Sequence, residues 1–328
     1  MVTLKDIALK TGVSVRTVSV VLNDKPNRIS VVTAKKIRHI ARQLNYRPNL
    51  IARATRTKKT NQIGILVAEL ANPYTGINIE VIEQNLSRYG YKLLLGLTGN
   101  NIENAKNYLR EFSHGMVDGI LNLVSTVDEP EMKLTDVTVP YIHYLRPSPH
   151  FNLTYDYITG MELALEHLWA LGHRRIGFIG GPDTRGRPEE RLKGFQRFFE
   201  KRKLSVRDLP IRFGDWTSVS GQANAPALLQ RHCTAVIGAN DQMTLGAMKA
   251  AQDIGLKVPH DISFVGFDNS PSADISNPSL TSVAIPFTEA AAQTVAALIG
   301  MIEGSFQGGS TVLLPRLVIR HSTAAAKV

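Results

Sequence analysis

From Ile63 onward, short apolar runs alternate with longer amphipathic stretches, and that alternation leaves few folds open. Ile63 to Ala68 reads IGILVA and is stopped by Asn72 and Pro73. A helical pattern follows from Tyr74 to Tyr89, closed by Gly90. Leu93 to Leu97, Val117 to Leu123 and Val139 to Tyr144 are further apolar runs, with a helix expected at Glu103 to Phe112. Runs this short, without polar alternation and with helices between them, predict a parallel sheet covered on both faces. A second set then begins. Helices are expected at Tyr157 to Leu171, Glu189 to Arg202, Val219 to Leu229, Met243 to Ile254 and Thr288 to Ile302. Strands are expected at Ile176 to Ile179, Pro210 to Phe213, Ala235 to Ala239, Ile262 to Gly266 and Leu313 to Ile319. Two βα assemblies in tandem predict a bilobed α/β core, with ligands taken at the carboxyl ends of the strands.

The first sixty residues differ in kind. They hold 14 Lys and Arg against 2 Asp and Glu, while the whole chain holds 38 against 28. The remaining 268 residues therefore hold 24 against 26, and all the excess positive charge sits in the head. Such asymmetry points to a polyanion, double-stranded DNA first. Leu4, Ile7 and Ala8 mark one short helix, Gly12 breaks it, Val13 plugs inward and Ser14 can cap the next. Val15, Val18, Val21 and Leu22 are expected inward, leaving Arg16, Thr17 and Val20 outward. Two short helices on a tight turn form a helix-turn-helix, whose second helix presents its N-terminal side chains to a major groove. Ile37, Ile40, Ala41 and Leu44 recur at helical spacing and predict a third helix, started by Ser30 or Thr33. Pro48 and Asn49 open a further stretch, Leu50 to Arg56, too short to hold as a helix alone in water.

Other classes lose ground on composition and motifs. Cys233 is the single cysteine, so an intramolecular disulfide and a four-cysteine zinc site are excluded. His167, His173 and His232 lack metal-ligand spacing, and no metal or cofactor is expected. The beginning of the chain lacks the apolar run of a signal peptide, and no stretch reaches the length of a membrane span, so a cytoplasmic protein is expected. GFIGG is not a dinucleotide fingerprint, and neither a phosphate-loop lysine motif nor a G-x-S-x-G elbow occurs. Catalysis is not expected.

The head resembles the DNA-binding headpiece of the lactose/galactose repressor family of bacterial transcriptional regulators. TLKDIA, TGVS, TVS followed by VLN, and NYRPN followed by AR stand in the family's order and spacing. The likeness continues through LGHRRIGFIGGP, ERLKGF, GDW, ANDQMTLGAM, DISFVGFDN and NPSLTSV, covering Thr3 to about Thr323. It implies a helix-turn-helix headpiece at 1–47, a hinge helix and linker at 48–60, and a periplasmic-binding-protein-like core at 61–323. Within the core it implies an N-subdomain of about 61–156 and 286–314 and a C-subdomain of about 157–285 and 315–323, with a tail at 324–328. It further implies a homodimer, since no heptads follow Ile319.

The resemblance also implies site residues. DNA would be met by Thr3, Ser14, Val15, Arg16, Thr17, Ser19, Val20, Asn23 and Arg28, by Tyr46 and Asn49, and in the hinge by Ala52, Arg53, Thr55 and Arg56. Thr55 stands where the family has a minor-groove leucine, which predicts a weaker wedge or a different central step. Val20 stands where many members have an arginine, so Arg16 is the expected guanine reader. A small sugar-like effector would be met by Tyr74, Asp156, Arg191, Trp216, Asn240, Asp268 and Phe287. An arginine fork, a carboxylate and an aromatic plate suit a polyol. The bland readings are a cap role for Asp268, a core role for Trp216 and a surface pairing of Arg191 with Glu189 or Glu190. Asp241 is expected to cap the Met243 helix. The stretch from Pro140 to Phe151 has no acid, and His143 or Arg146 is a candidate to act there instead. Three readings stay open at this point: a repressor released by a sugar, a repressor needing a corepressor or partner protein, and a solute-binding module without DNA function.

Overall fold

In the computed structural model the described residues between 2 and 47 form three helices around one small core. The structure describes residues 2–23, 28–47, 54, 57–70, 73–99, 101–124, 137–144, 151–182 and 190–327. Helix α1 (Leu4–Thr11) ends at Gly12, whose φ of 73° is left-handed and suits a residue without Cβ. Its N–H donates to the Ala8 carbonyl at 2.9 Å. Helix α2 (Val15–Leu22) starts at Ser14, whose hydroxyl accepts from the Thr17 amide at 3.1 Å. Helix α3 (Val31–Gln43) starts at Ser30 in the same way, through the Thr33 amide at 3.1 Å. Ile7, Ala8, Val18, Val21, Ile37 and Ala41 are buried together. Lys36 Nζ donates to the Thr11 carbonyl at 3.1 Å and ties α3 to the end of α1.

Val15 departs from its expected place. It is 39 % exposed, not part of the inward stripe. A first-turn side chain points back toward the helix N-terminus, here past the edge of the core. Replacing the cap, Ser14→Ala, leaves the Thr17 amide unsatisfied. It should cost the head about 1 kcal/mol, seen as faster hydrogen exchange at the α2 amides; unchanged exchange would show that the cap contributes nothing. The expected hinge residues Asn49, Ala52, Arg53, Thr55 and Arg56 lie outside the described residues.

Residues Met1–Thr60 and Asn61–Val328 are separate compact units. The second unit opens with β1 (Gln62–Val67), α4 (Pro73–Arg88), β2 (Lys92–Leu97), α5 (Ile102–Glu111), β3 (Gly119–Asn122) and β4 (Tyr141–His143). Its first sheet is parallel throughout, in the order β2-β1-β3-β4, with Ile63 beside both Leu93 and Gly119. Next come β5 (Phe151–Tyr155), α6 (Tyr157–Ala170), β6 (Ile176–Gly180), α7 (Glu190–Lys201), β7 (Ile211–Phe213), α8 (Ser218–Leu229) and β8 (Ala235–Gly238). Then α9 (Asp241–Asp253), β9 (Ser263–Phe267), α10 (Pro271–Ile275), β10 (Thr281–Ala284), α11 (Phe287–Glu303), β11 (Gly309–Leu313) and β12 (Arg316–Val318) complete the chain. The second sheet has the order β12-β10-β9-β8-β6-β7 and is parallel except for β12. Every residue of β6, β8, β9 and β10 is buried, as expected of strands with helices on both faces.

Three differences from the sequence reading have physical causes. Strand β5 was not expected, yet Phe151, Leu153 and Tyr155 alternate inward. Strand β10 was not expected either; its buried Thr281 and Ser282 disguise an interior strand. Leu313 to Ile319 is not one strand. Pro315 has no N–H to continue a ladder, so β11 ends beside β5 while β12 turns antiparallel to β10. The chain therefore passes between the two groups of elements at Asp156, at 285–286 and at 314–315, with α11 packed back on α4.

The tail is held on the second sheet. His173 bonds Thr234 Oγ1 at 2.9 Å and the Ala324 carbonyl at 3.0 Å, which makes it structural. Ser322 Oγ donates to the Phe264 carbonyl at 2.6 Å. Cys233 is buried, which pushes its thiol up to about 11. Among the described residues no helix is long and apolar enough to cross a membrane.

Candidate DNA-reading face and effector site

The outward face of α2 carries the expected reading residues at helical spacing. Arg16 is exposed, and Ser19, Val20 and Asn23 follow on its side, opposite the buried Val18 and Val21. Val15 and Ser14 lie exposed at its start, and Thr17 is half-buried against the Ser14 hydroxyl at 2.9 Å. Asn23 Nδ2 donates to the Ser19 carbonyl at 2.7 Å and closes the helix. Thr3 is exposed at the start of α1, where the Asp6 carboxylate accepts its amide at 2.7 Å and its hydroxyl at 2.8 Å. These bonds hold the Asp6 carboxyl below the usual range. Arg28 is exposed and Tyr46 half-buried on the head core.

In the second unit a belt of aromatic and polar side chains runs from one sheet to the other. Phe287, first residue of α11, meets the Tyr74 ring edge-on at 6.3 Å. Tyr144 Oη donates to Asn78 Oδ1 at 3.1 Å and lies 3.3 Å from Tyr155 Oη. Tyr155 meets Tyr157 edge-on at 5.6 Å. The Arg191 guanidinium lies over Tyr157 at 4.0 Å, Phe267 at 5.3 Å and Trp216 at 5.6 Å. Arg191 is 7 % exposed. On α7 its side chain turns inward beneath three rings rather than lying on the helix surface, and Glu189 lies outside the described residues.

Burial holds the Tyr74, Tyr144 and Tyr155 hydroxyls well above the ordinary phenol range. Around Tyr74, the Asp268 carboxylate adds to the rise. Asp268 follows β9 with φ at 97°, and Asn269 comes next at 53°. Neither angle suits an ordinary side chain. The turn persists because its amides are all taken: Asp268 donates to the Val283 carbonyl at 2.9 Å, Asn269 to Ser282 Oγ at 3.0 Å and Ser270 to Asp241 Oδ2 at 2.6 Å. Asp268 therefore does not cap α10, where Ser270 stands at the cap.

Trp216, with φ at 74°, is half-buried and lies flat against Gly181; a Cβ there would enter its ring. Asn240 is 4 % exposed and engaged at both ends of its amide. Its oxygen accepts from the Met243 amide at 2.9 Å, and its nitrogen donates to the Trp216 carbonyl at 2.9 Å. It positions Trp216. Asp156 caps α6, accepting from the Thr159 amide at 2.9 Å and hydroxyl at 2.6 Å. The structure thus joins Tyr74, Arg191, Trp216, Asp268 and Phe287, and sets Asn240 and Asp156 behind them as helix caps.

Two expectations are corrected. Asn240, not Asp241, caps α9, which begins at Asp241. Asp241 turns inward, 1 % exposed, and also accepts from Ser282 Oγ at 2.6 Å. His143 is 3 % exposed with Nε2 against the Val124 carbonyl at 3.1 Å, so it is packed inside the first sheet's layer. Arg146 lies outside the described residues. Sequence reasoning missed Asn78, Tyr144, Tyr155, Tyr157 and Phe267; the inward alternation ending at Tyr155 was the available signal.

Burial pushes the Asp241 carboxyl up to about 6, against the pull of its hydrogen bonds from Ser282 and Ser270. The folded state therefore holds the proton more tightly than the unfolded chain. Its contribution to stability is present at low pH and is lost as pH rises from the ordinary carboxylate value to about 6. Asp241→Asn should accordingly cost most at pH 4 and least above pH 6, in melting curves of both chains. A cost independent of pH would refute this.

Residues 3–49 match the family described as bacterial regulatory proteins, lacI family, and residues 165–323 match the periplasmic binding protein-like domain. The chain is 32 % identical over 333 residues to the HTH-type transcriptional repressor PurR of Proteus mirabilis (strain HI4320), covering 99 % of this chain and 97 % of that one. It is 32 % identical to catabolite control protein A of Priestia megaterium, covering 98 % and 99 %. Among solved structures, the lac repressor dimer bound to operator and the anti-inducer ONPF superposes with a TM-score of 0.87 at 28 % identity, covering 99 % of both chains. The complex of the transcriptional regulator CelR with cellobiose gives 0.72 at 29 % identity, covering 98 % and 100 %. Helix-turn-helix head, two parallel-sheet subdomains and these relatives agree: the chain belongs to the lacI family of bacterial regulatory proteins, DNA-binding transcriptional repressors controlled by an effector.

Proposed function

We propose that the chain acts in the cytoplasm as a homodimer on a pseudo-palindromic operator and is released by a small sugar-like effector. The observation that carries the effector class is the belt of Arg191, Trp216, Tyr74 and Asp268. A carboxylate held at an unusual backbone angle takes hydroxyl protons, the guanidinium donates, and the rings take the apolar face of a sugar. The belt draws on both sheets, so an occupant favours one arrangement of the subdomains over others. That preference reaches DNA affinity only if the two subunits' heads depend on the arrangement. Coupling of this kind is reciprocal, so operator DNA weakens effector binding by the same factor. CelR in complex with cellobiose supports a sugar, and the lac repressor dimer on its operator supports the assembly.

The test is tryptophan fluorescence and melting temperature of the full chain against free sugars, sugar phosphates and purines, followed by operator binding with any ligand found. A free sugar that saturates the signal and weakens operator binding supports the reading. A ligand that strengthens operator binding replaces it with corepression.

A further inference from the structure

The N-terminal ends of the second sheet carry a recess that the effector site does not use. Arg174 and Arg175 lead into β6, Leu209 and Pro210 lead into β7, and Arg231 precedes β8; with Phe199 of α7 they surround about 260 Å3. Strand β6 has five residues, so the recess lies roughly 15 Å from the strand ends that carry Asn240 and Asp268.

Two of the three guanidiniums are held in place by the protein. Arg174 lies over the Trp169 ring at 4.1 Å and donates to the Trp169 carbonyl at 2.8 Å and the His173 carbonyl at 3.1 Å. Arg231 donates to the Asp208 carbonyl at 2.7 Å. Yet none of Arg174, Arg175 and Arg231 forms an ion pair with a described carboxylate, although Asp208 borders the same recess. Three positive charges against the single carboxylate of Asp208 leave the recess net positive, and the exposed arginines keep N–H donors open to solvent. A bound anion offsets that excess charge.

We propose that this recess is a second ligand site, which takes the phosphate monoester of a small metabolite. One carboxylate matches one guanidinium fork, whereas a phosphate dianion offers three terminal oxygens to three guanidiniums. Phe199, Leu209 and Pro210 supply an apolar wall for the ester's carbon part. The volume suits a compact metabolite, below the usual range for larger ligands. Helix α7 carries Phe199 near one end and Arg191 near the other, so a single rigid element joins this site to the effector belt. The inference does not depend on the effector being a sugar.

Trp169 provides the readout, because its ring meets Phe199 edge-on at 6.3 Å and lies under Arg174. The full chain, in a buffer free of phosphate and at fixed ionic strength, is titrated with glucose 6-phosphate and with adenosine monophosphate. Glucose and adenosine serve as uncharged partners and sulfate as a bare dianion. At least one ester should give a saturable change in emission. The change should disappear in Trp169→Phe. Affinity should fall about tenfold or more in the exposed pair Arg175→Gln with Arg231→Gln and stay unchanged in Asp268→Gly. Loss in Asp268→Gly with no effect of the arginine pair would assign the ligand to the effector belt and overturn the proposal. So would equal affinity for sulfate, the same response to the uncharged partner, or no saturation by either ester up to on the order of 10 mM.

Discussion

Asp268→Gly should give a repressor that holds its operator and no longer answers its effector. The carboxylate is the charged acceptor of the belt, and hydrogen bonds to a charged group contribute about 1.5–3 kcal/mol. Its loss should therefore weaken effector binding by between about 10-fold and 150-fold. Glycine is the informative replacement. Asp268 has φ at 97°, where an alanine would stay strained and a glycine would not. Stability should hold or rise by up to about 1 kcal/mol, so lost binding cannot be blamed on a damaged fold. Calorimetry with the effector, beside a melting curve, separates the two quantities. Undiminished affinity in the variant would remove Asp268 from the site.

The largest loss of stability should come from Gly246→Ala. Helices α8 and α9 cross with their backbones touching. A Cβ on Gly246 would land on the Ser218 carbonyl, and one on Gly221 would land on the Met243 carbonyl. In an isolated helix, alanine would be better than glycine by about 1 kcal/mol. Here the obstructing atoms are backbone and cannot rotate away, and overpacking costs about 1–3 kcal/mol or more. The clash wins, and the melting temperature should fall by roughly 2–8 °C. Gly76→Ala is the control, since Gly76 lies in α4 with nothing within 4 Å of the added carbon. It should raise stability slightly. A Gly246→Ala chain as stable as the natural one would mean that the two helices separate freely. Forcing them apart should also disturb effector binding, because α9 is capped by Asn240, the residue that holds the Trp216 carbonyl.

The parts legible in the sequence were those set by local chemistry. Gly12 and Ser14 mark helix boundaries by backbone angle and hydroxyl capping and stand as read, and of Ser30 and Thr33 the structure takes Ser30 as the cap of α3. The apolar runs announce the central strands because those strands are buried on both faces. What stayed hidden depends on partners far away in the chain. Asn240 and Asp241 are both good caps, and only Ser270 and Ser282, from another turn and another strand, decide which one faces inward. For Arg191, on an otherwise charged helix, the sequence leaves a surface pairing open beside the effector role, and only Tyr157, Phe267 and Trp216 from elsewhere in the chain turn it inward. The tyrosine belt was missed for the same reason: Tyr144, Tyr155 and Tyr157 sit on separate elements or at their junctions, with no local motif.

The three passages of the chain between its two sheets act like parallel cords across a waist. A protease that cut one of them, at 314–315 for instance, would leave two others intact and both halves folded. The nicked protein would run as two fragments once denatured and as one particle before. What it would lose is stiffness in the bending of one half against the other, and with it the tuning of the effector response rather than the response itself.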